Sequence, residues 1–185
     1  MRKLKLQVQI SIDGYVAGPN HEMDWMTWNW DDKLKDFVDA LHQPVGTILL
    51  GRGMADGFIT HWTNVTNNPE DESYAFAKLM VDTPKVIFSK TLESIDYANT
   101  TLAKGDLAEE VNTLKNQPGG DIIVYGGAGF DSCLIEAGLI DELNLFVNPA
   151  AIGQGLKIFT TKTNYELASA TPFECGIVVL TYHPK

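Results

Sequence analysis

The sequence predicts an α/β fold on one sheet, mostly parallel, with an antiparallel edge near the C-terminus. Three observations carry this. Short apolar runs alternate with segments of helical periodicity along most of the chain. Two of those runs, ending at Leu50 and Tyr125, open directly into glycine-rich turns. The tail beyond Asn164 holds two strand-like stretches with no helix between them.

Taken in order, Leu4, Leu6, Val8 and Ile10 alternate with polar residues, as in a strand with one face buried. Asp13-Gly14 and Gly18-Pro19-Asn20 mark turns. Asp31 or Asp32 then caps a helix in which Leu34, Phe37, Val38 and Leu41 recur at helical spacing, and Pro44 stops it. Gly46 to Leu50 reads as a buried strand feeding Gly51-Arg52-Gly53. Residues 70–81 carry a helical pattern, and Pro84 to Ser89 give another strand. Asp106 starts a helix with Leu107, Val111 and Leu114 on one face, ended near Pro118-Gly119-Gly120. Ile122 to Tyr125 is a strand delivered into Gly126-Gly127-Ala128-Gly129. The next helix sets Phe130, Cys133, Leu134 and Ala137 on one stripe and ends at Gly138, suited to a left-handed cap. Asp141 to Val147 is strand-like, and Tyr165 to Ala170 pairs with Gly176 to Tyr182 around a turn near Pro172.

The length of 185 residues, with no repeat or linker, gives one domain over 1–185. A composition 44% hydrophobic and 21% charged excludes a disordered or collagenous chain. The formal charge of −10 argues against nucleic acid and against an anionic membrane, since both need a basic face. A local cationic pocket for phosphate is still compatible with it. No apolar run approaches the ~18 residues of a membrane span, and the start lacks a signal-peptide core, so a cytoplasmic protein is expected. Cys133 and Cys175 are too few for a disulfide framework and are expected as buried, reduced thiols. His21, His42 and His183 show no ligand spacing, so no metal site is expected. There is no Gly-x-Ser-x-Gly elbow and no P-loop.

Chemistry concentrates at strand ends. Gly126 to Gly129 between a strand and a helix would offer free N–H groups and a helix dipole to an anion, although such glycines also serve as plain turns. Arg52 is one of only two arginines, the other being Arg2, and it sits between glycines at a strand end. A guanidinium there can grip phosphate through paired bonds, or simply be solvated. Ser89-Lys90-Thr91 adds a hydroxyl and a cation at a third strand end. A dinucleotide carrying an extra 2′-phosphate would use all three ends. Asp13, Asp24, Asp31 and Asp32 with Trp25, Trp28 and Trp30 could form a slot for a flat heteroaromatic ring, or Asp31 and Asp32 could merely cap the helix. His61-Trp62 reads as packing with a surface imidazole.

The order of these motifs resembles a known family. It runs Ser11-Ile12-Asp13-Gly14, Asp24-Trp25, Leu49-Leu50-Gly51-Arg52 and Phe88-Ser89-Lys90-Thr91-Leu92. It continues as Tyr125-Gly126-Gly127 through Leu134, Gly138-Leu139-Ile140-Asp141-Glu142-Leu143, and Asn148-Pro149 to Gly153-Gln154-Gly155. This is similar to the dihydrofolate reductase-like proteins that carry a bacterial riboflavin-reductase (RibD C-terminal) domain, from residue 3 to about 182.

The resemblance implies a three-layer αβα fold with an eight-stranded sheet and NADPH across the strand ends. Gly126, Gly127, Ala128 and Gly129 would then face the pyrophosphate, with a cis Gly126–Gly127 peptide. Gly51, Arg52, Gly53 and Met54 would hold phosphate, Ser89 and Lys90 the 2′-phosphate, and Val16 and Ala17 would lie by the nicotinamide. Asp13 and Asp31 are the catalytic candidates, and Asp24, Trp25 and Tyr125 the substrate contacts. The implied activity is reduction of a pterin, folate or aminopyrimidine-type heterocycle, in a homodimer. This sequence departs from the family in having Met54 where a Thr is common, and Gln7 and Tyr125 where riboflavin reductases carry Lys and Glu. It reads as the reductase unit without a deaminase unit. Two other readings stay open: a catalytically silent nucleotide- or drug-binding protein on this fold, and an unrelated α/β enzyme whose glycines are only turns.

Overall fold

The computed structural model describes residues 1–185 as eight strands and five helices. In chain order these are β1 (Leu4–Ile10), α1 (Asp32–His42), β2 (Val45–Gly51), α2 (Arg52–Val65), α3 (Tyr74–Asp82), β3 (Lys85–Phe88) and β4 (Thr100–Ala103). There follow α4 (Leu107–Asn116), β5 (Asp121–Val124), α5 (Ala128–Glu136), β6 (Glu142–Val147), β7 (Tyr165–Pro172) and β8 (Val178–Pro184). One sheet holds all eight strands in the order β4-β3-β2-β5-β1-β6-β8-β7. The first six run parallel, and β8 and β7 pair antiparallel at the edge, as the hydrophobic pattern predicts.

Alternation along the strands divides the core into two layers. Leu49, Val86, Ile122, Val124, Leu143 and Leu145 pack with Val111 of α4 and Leu134 and Ile135 of α5. Ile48, Leu50, Ile87, Ile123 and Phe146 face the other way, against Leu34 and Val38 of α1, Phe58 of α2 and Met80 of α3. The fold is therefore a three-layer αβα sandwich. Burying one such side chain contributes roughly 1.5–3 kcal/mol. No helix is long and apolar enough to cross a membrane.

Local chemistry sets the helix ends. Asp31 caps α1 by accepting the Leu34 N–H (3.0 Å), and Asp106 caps α4 by accepting those of Ala108 and Glu109 (3.0 and 3.2 Å). Gly138, at φ +64°, ends α5 in a Schellman motif: its N–H bonds the Ile135 carbonyl while the Leu139 N–H bonds that of Leu134.

The strands' amino edge is closed by paired charges. Arg2 donates to the Gly120 and Leu114 carbonyls and to Thr47 Oγ1 (2.5 Å). Lys5 pairs with Asp121 (3.0 Å), and Lys115 with Asp141 (2.6 Å) and the Leu139 carbonyl (3.2 Å).

Four expectations change. β1 is buried on both faces: it lies inside the sheet between β5 and β6, and Lys5 and Gln7 are buried like the apolar residues that alternate with them. The stripe that α5 buries is Asp131, Ser132, Leu134 and Ile135, so Cys133 and Ala137 are exposed. A Ser132 Oγ bond to the Ile158 carbonyl (2.9 Å) draws that side of the helix under the following segment. The cysteines are therefore not a buried pair: Cys133 is exposed and Cys175 half-buried. Strand β4, short and threonine-rich, had no apolar run to announce it.

Candidate functional site

Pairing of Gly51 with Phe88, Leu49 with Val124 and Ile10 with Val147 aligns the carboxyl ends of β3, β2, β5, β1 and β6 along one edge. Two neighbouring strands there, β2 and β5, run almost directly into helices. The N-caps are Gly51 for α2 and Gly127 for α5, and no side chain caps either helix. First-turn N–H groups have no intrahelical acceptor, so those of Arg52, Gly53, Ala128 and Gly129 are left for a partner outside the helix. The N–H groups of Gly126 and Gly127 also bond nothing in the protein.

The glycines at this edge do two jobs. Gly51 and Gly126 are packing positions: a Cβ would stand 2.7 Å from Phe130 Cβ at the first and 2.6 Å from Asp131 Oδ2 at the second. Gly53, Gly127 and Gly129 have nothing within 4 Å of that point. A phosphate group could lie against the backbone there, where a side chain would otherwise stand. Gly126 and Gly127 both take positive φ (+103° and +76°), which reverses the chain without a cis bond. The peptide between them is trans, contrary to expectation. In this form the Gly126 carbonyl accepts the Gly51 N–H (3.0 Å), tying the two turns together.

Arg52 is exposed at the start of α2, and its Nη1 donates to Thr91 Oγ1 (2.7 Å), which bridges the β2 and β3 ends. Ser89 Oγ accepts the N–H groups of Thr91 and Leu92 (3.2 and 3.0 Å), shaping the turn on which exposed Lys90 stands. Met54 packs its side chain partly against the α1 layer, so only its backbone is available at the edge. Thr91, read in the sequence only as part of the Ser-Lys-Thr triplet, is the member that Arg52 meets.

Beside these ends, Val16 and Ala17 are buried and exchange backbone bonds with Leu156 (2.9 and 2.8 Å). Asp13 fastens the same two loops by accepting Ser11 Oγ–H (2.7 Å) and the N–H groups of Gly153 (2.7 Å) and Ile152 (3.1 Å). The Ser11 bond, helped by the two amides, outweighs desolvation and holds its carboxyl below the usual range. For Asp31, desolvation pushes the carboxyl up, but bonds from Leu34, Cys175 and Glu174 outweigh it and leave it lowered. Its Oδ2 accepts the Cys175 N–H (3.0 Å), joining α1 to the β7–β8 turn. Both aspartates, expected as catalytic, thus hold loops together as anions.

The tryptophan segment lies over the start of α1. Trp28 and Trp30 stack (centroids 6.2 Å apart), and Trp30 stacks on Phe146 (6.3 Å). Thr27 N–H donates to the side chain of fully buried Asn148, which anchors the segment to the ends of β1 and β6. Trp25 is half-buried with Nε1 on the Glu22 carbonyl (3.2 Å), and Asp24 is exposed. Tyr125 does not join the slot. β-strand alternation turns its ring into the α1 layer, where its hydroxyl meets His42 Nε2 and Met80 Sδ. The substrate contact expected of it is corrected to a core contact.

Asp131 was missed altogether. It lies in the first turn of α5, 1% exposed, with Oδ1 unpartnered, and burial raises its carboxyl to about 8. An acid in a helix's first turn reads in sequence as a dipole partner, so nothing marked it as buried.

Known proteins share this fold. A protein of Bacillus subtilis (strain 168), Uncharacterized protein YyaP, is 32% identical over 185 residues, which is 98% of this chain and 95% of that protein. Among solved structures, a putative riboflavin biosynthesis protein from Shewanella sp. PV-4 superposes with a TM-score of 0.72 at 21% identity, over 100% of this chain and 99% of that one. A dihydrofolate reductase from Enterococcus faecalis, complexed with NADP(H), gives 0.63 at 14% identity, over 99% and 96%. A diaminohydroxyphosphoribosylaminopyrimidine deaminase/5-amino-6-(5-phosphoribosylamino)uracil reductase from Thermotoga maritima gives 0.68 at 15% identity, this chain matching 57% of it. Residues 2–179 match the model of the RibD C-terminal domain. With the αβα sheet and its open carboxyl edge, that match over nearly the whole chain makes this protein a member of the RibD C-terminal domain family.

Proposed function

We propose that this protein is a reductase that binds NADPH along the carboxyl edge of its sheet and reduces a flat nitrogen heterocycle of the pterin, folate or aminopyrimidine kind. The observation that carries this reading is the pair of uncapped helix N-termini on adjacent strands, with Arg52 and Ser89 beside them. The open space over Gly53, Gly127 and Gly129, next to unpaired N–H groups, suits a pyrophosphate. Arg52, Ser89 and Lys90 suit a further phosphate. When bound, the cofactor would supply a hydride at its nicotinamide ring.

This chain's own residues bind, orient and exclude water. The N–H groups of Gly126 to Gly129 and Gly53 hold the phosphates, while Val16 and Ala17, fixed by Leu156, wall the nicotinamide end. The segment from Asp24 to Trp30, anchored by Asn148, covers the heterocycle. Asp13 and Asp31 are held as anions, so the proton comes from water. The family and the reductases that share its fold support the activity.

The engagement of both aspartates also favours a second reading, a binding protein without turnover. The loss of reduced-nicotinamide absorbance across dihydrofolate, dihydropterins and aminopyrimidine ribitol phosphates tests the two. Consumption with one substrate class establishes the reductase. Binding of NADPH without consumption across the panel establishes the silent binder, and no binding overturns both.

A further inference from the structure

Asp131 has no role in the site described so far, yet it touches that site. The residue is 1% exposed, Oδ1 is fully buried and meets no donor, and Oδ2 is 2.6 Å from the point where a Cβ on Gly126 would stand. The turn it packs against carries the Gly126 and Gly127 N–H groups that bond nothing in the protein. A buried carboxyl without a partner favours its neutral form, and a phosphate arriving across a single turn of backbone would repel the ionised one.

We propose that Asp131 is a positioning residue of the dinucleotide site, whose neutral carboxyl fills the space beneath Gly126 and whose ionisation expels the phosphate above it. The proposal rests on the dinucleotide reading.

Nothing charged on the surrounding elements opposes this. β2 has no titratable residue, and Lys5 of β1 is paired with Asp121 at the far edge. Arg52 at the start of α2 donates to Thr91, and Lys157 stands over the Tyr15 ring at 5.2 Å. Glu110 of α4 accepts from Gly105, and Tyr125 points into the opposite layer. Burial alone therefore sets the titration, near 8.

The test measures NADPH affinity from about pH 6.5 to 9.5 for the wild type and Asp131→Asn, with urea unfolding of both proteins at each pH. The wild type should hold its affinity up to about pH 8 and then lose about tenfold per unit, while the variant stays level. The variant should also be the more stable protein at neutral pH, which shows that it folds and that the carboxyl is unpartnered. Identical pH profiles, or a variant less stable than the wild type at pH 8, overturn the proposal alone. A wild type that binds no NADPH at the acid end overturns the dinucleotide reading and this proposal with it.

Discussion

Arg2 and Arg52 stand at opposite edges of one sheet, and the protein uses them differently. Arg2 is 8% exposed and donates to two carbonyls and a hydroxyl, amid lysine–aspartate pairs that leave the amino edge electrically closed. Arg52 is exposed and makes one bond, to Thr91, beside two helices whose first turns no side chain caps. The helices α1 and α4 are capped by Asp31 and Asp106, and α3 like α2 and α5 is not, so what sets α2 and α5 apart is that their bare N-termini follow two adjacent strands at one edge. Polar groups satisfied within the protein hold the fold. Those left open where strands end are available to a ligand, and an anion is the ligand that unpaired N–H groups select.

The largest expected effect sharpens this contrast at its one anomaly, the buried acid on the open edge. Asp131 keeps its proton up to about 8 when folded, against about 3.9 for an unfolded aspartate. Between those values the unfolded chain has released a proton that the folded chain retains. The residue's contribution therefore falls as pH rises, by at most about 1.4 kcal/mol per unit, and is level above about 8. The stability gain from Asp131→Asn should grow from about pH 4 to 8, as read from urea midpoints across that range.

Arg2→Ala should cost about 2–4 kcal/mol, because it removes three bonds of a buried guanidinium and strands the Gly120 carbonyl, whereas Arg52→Ala should change urea stability by less than about 0.5 kcal/mol. Equal losses would erase the distinction between the edges. In binding the order reverses. Arg52→Ala should weaken NADPH about 10- to 100-fold and NADH much less, if the guanidinium grips the 2′-phosphate. Equal losses for both cofactors would move it to the pyrophosphate.

The glycines give the finest test. Gly51→Ala drives a Cβ into Phe130 and should cost about 1–3 kcal/mol. Gly53→Ala meets open space inside α2 and should raise stability by about 0.5–1 kcal/mol while lowering NADPH affinity. A Gly53→Ala protein that binds NADPH unchanged would remove that glycine from the cradle.

Much of this edge was legible in the residues. Apolar runs ending in Gly51-Arg52-Gly53 and Gly126-Gly127 announce strands that stop where backbone must stay bare, and alternation assigned the sheet its parallel body and antiparallel hairpin. What escaped depended on contacts distant in sequence. Asp13 looks like a free carboxylate, and Asp31 like a cap with an oxygen to spare, until Gly153 and Cys175, about 140 positions away, are seen to donate to them. Tyr125 looks adjacent to the glycine turn, but strand alternation sends its ring to the other layer. Cys133 is exposed and Asp131 buried because Ser132, bonded to the Ile158 carbonyl, sets which side of α5 faces the core, and no local pattern encodes that contact.

Calorimetric titration of the purified protein with NADPH and with NADH tests the open edge most directly. Saturable binding of NADPH, with NADH much weaker, is the expected result. No heat from either cofactor, with the protein folded, would contradict the assignment of the carboxyl edge to a phosphorylated dinucleotide.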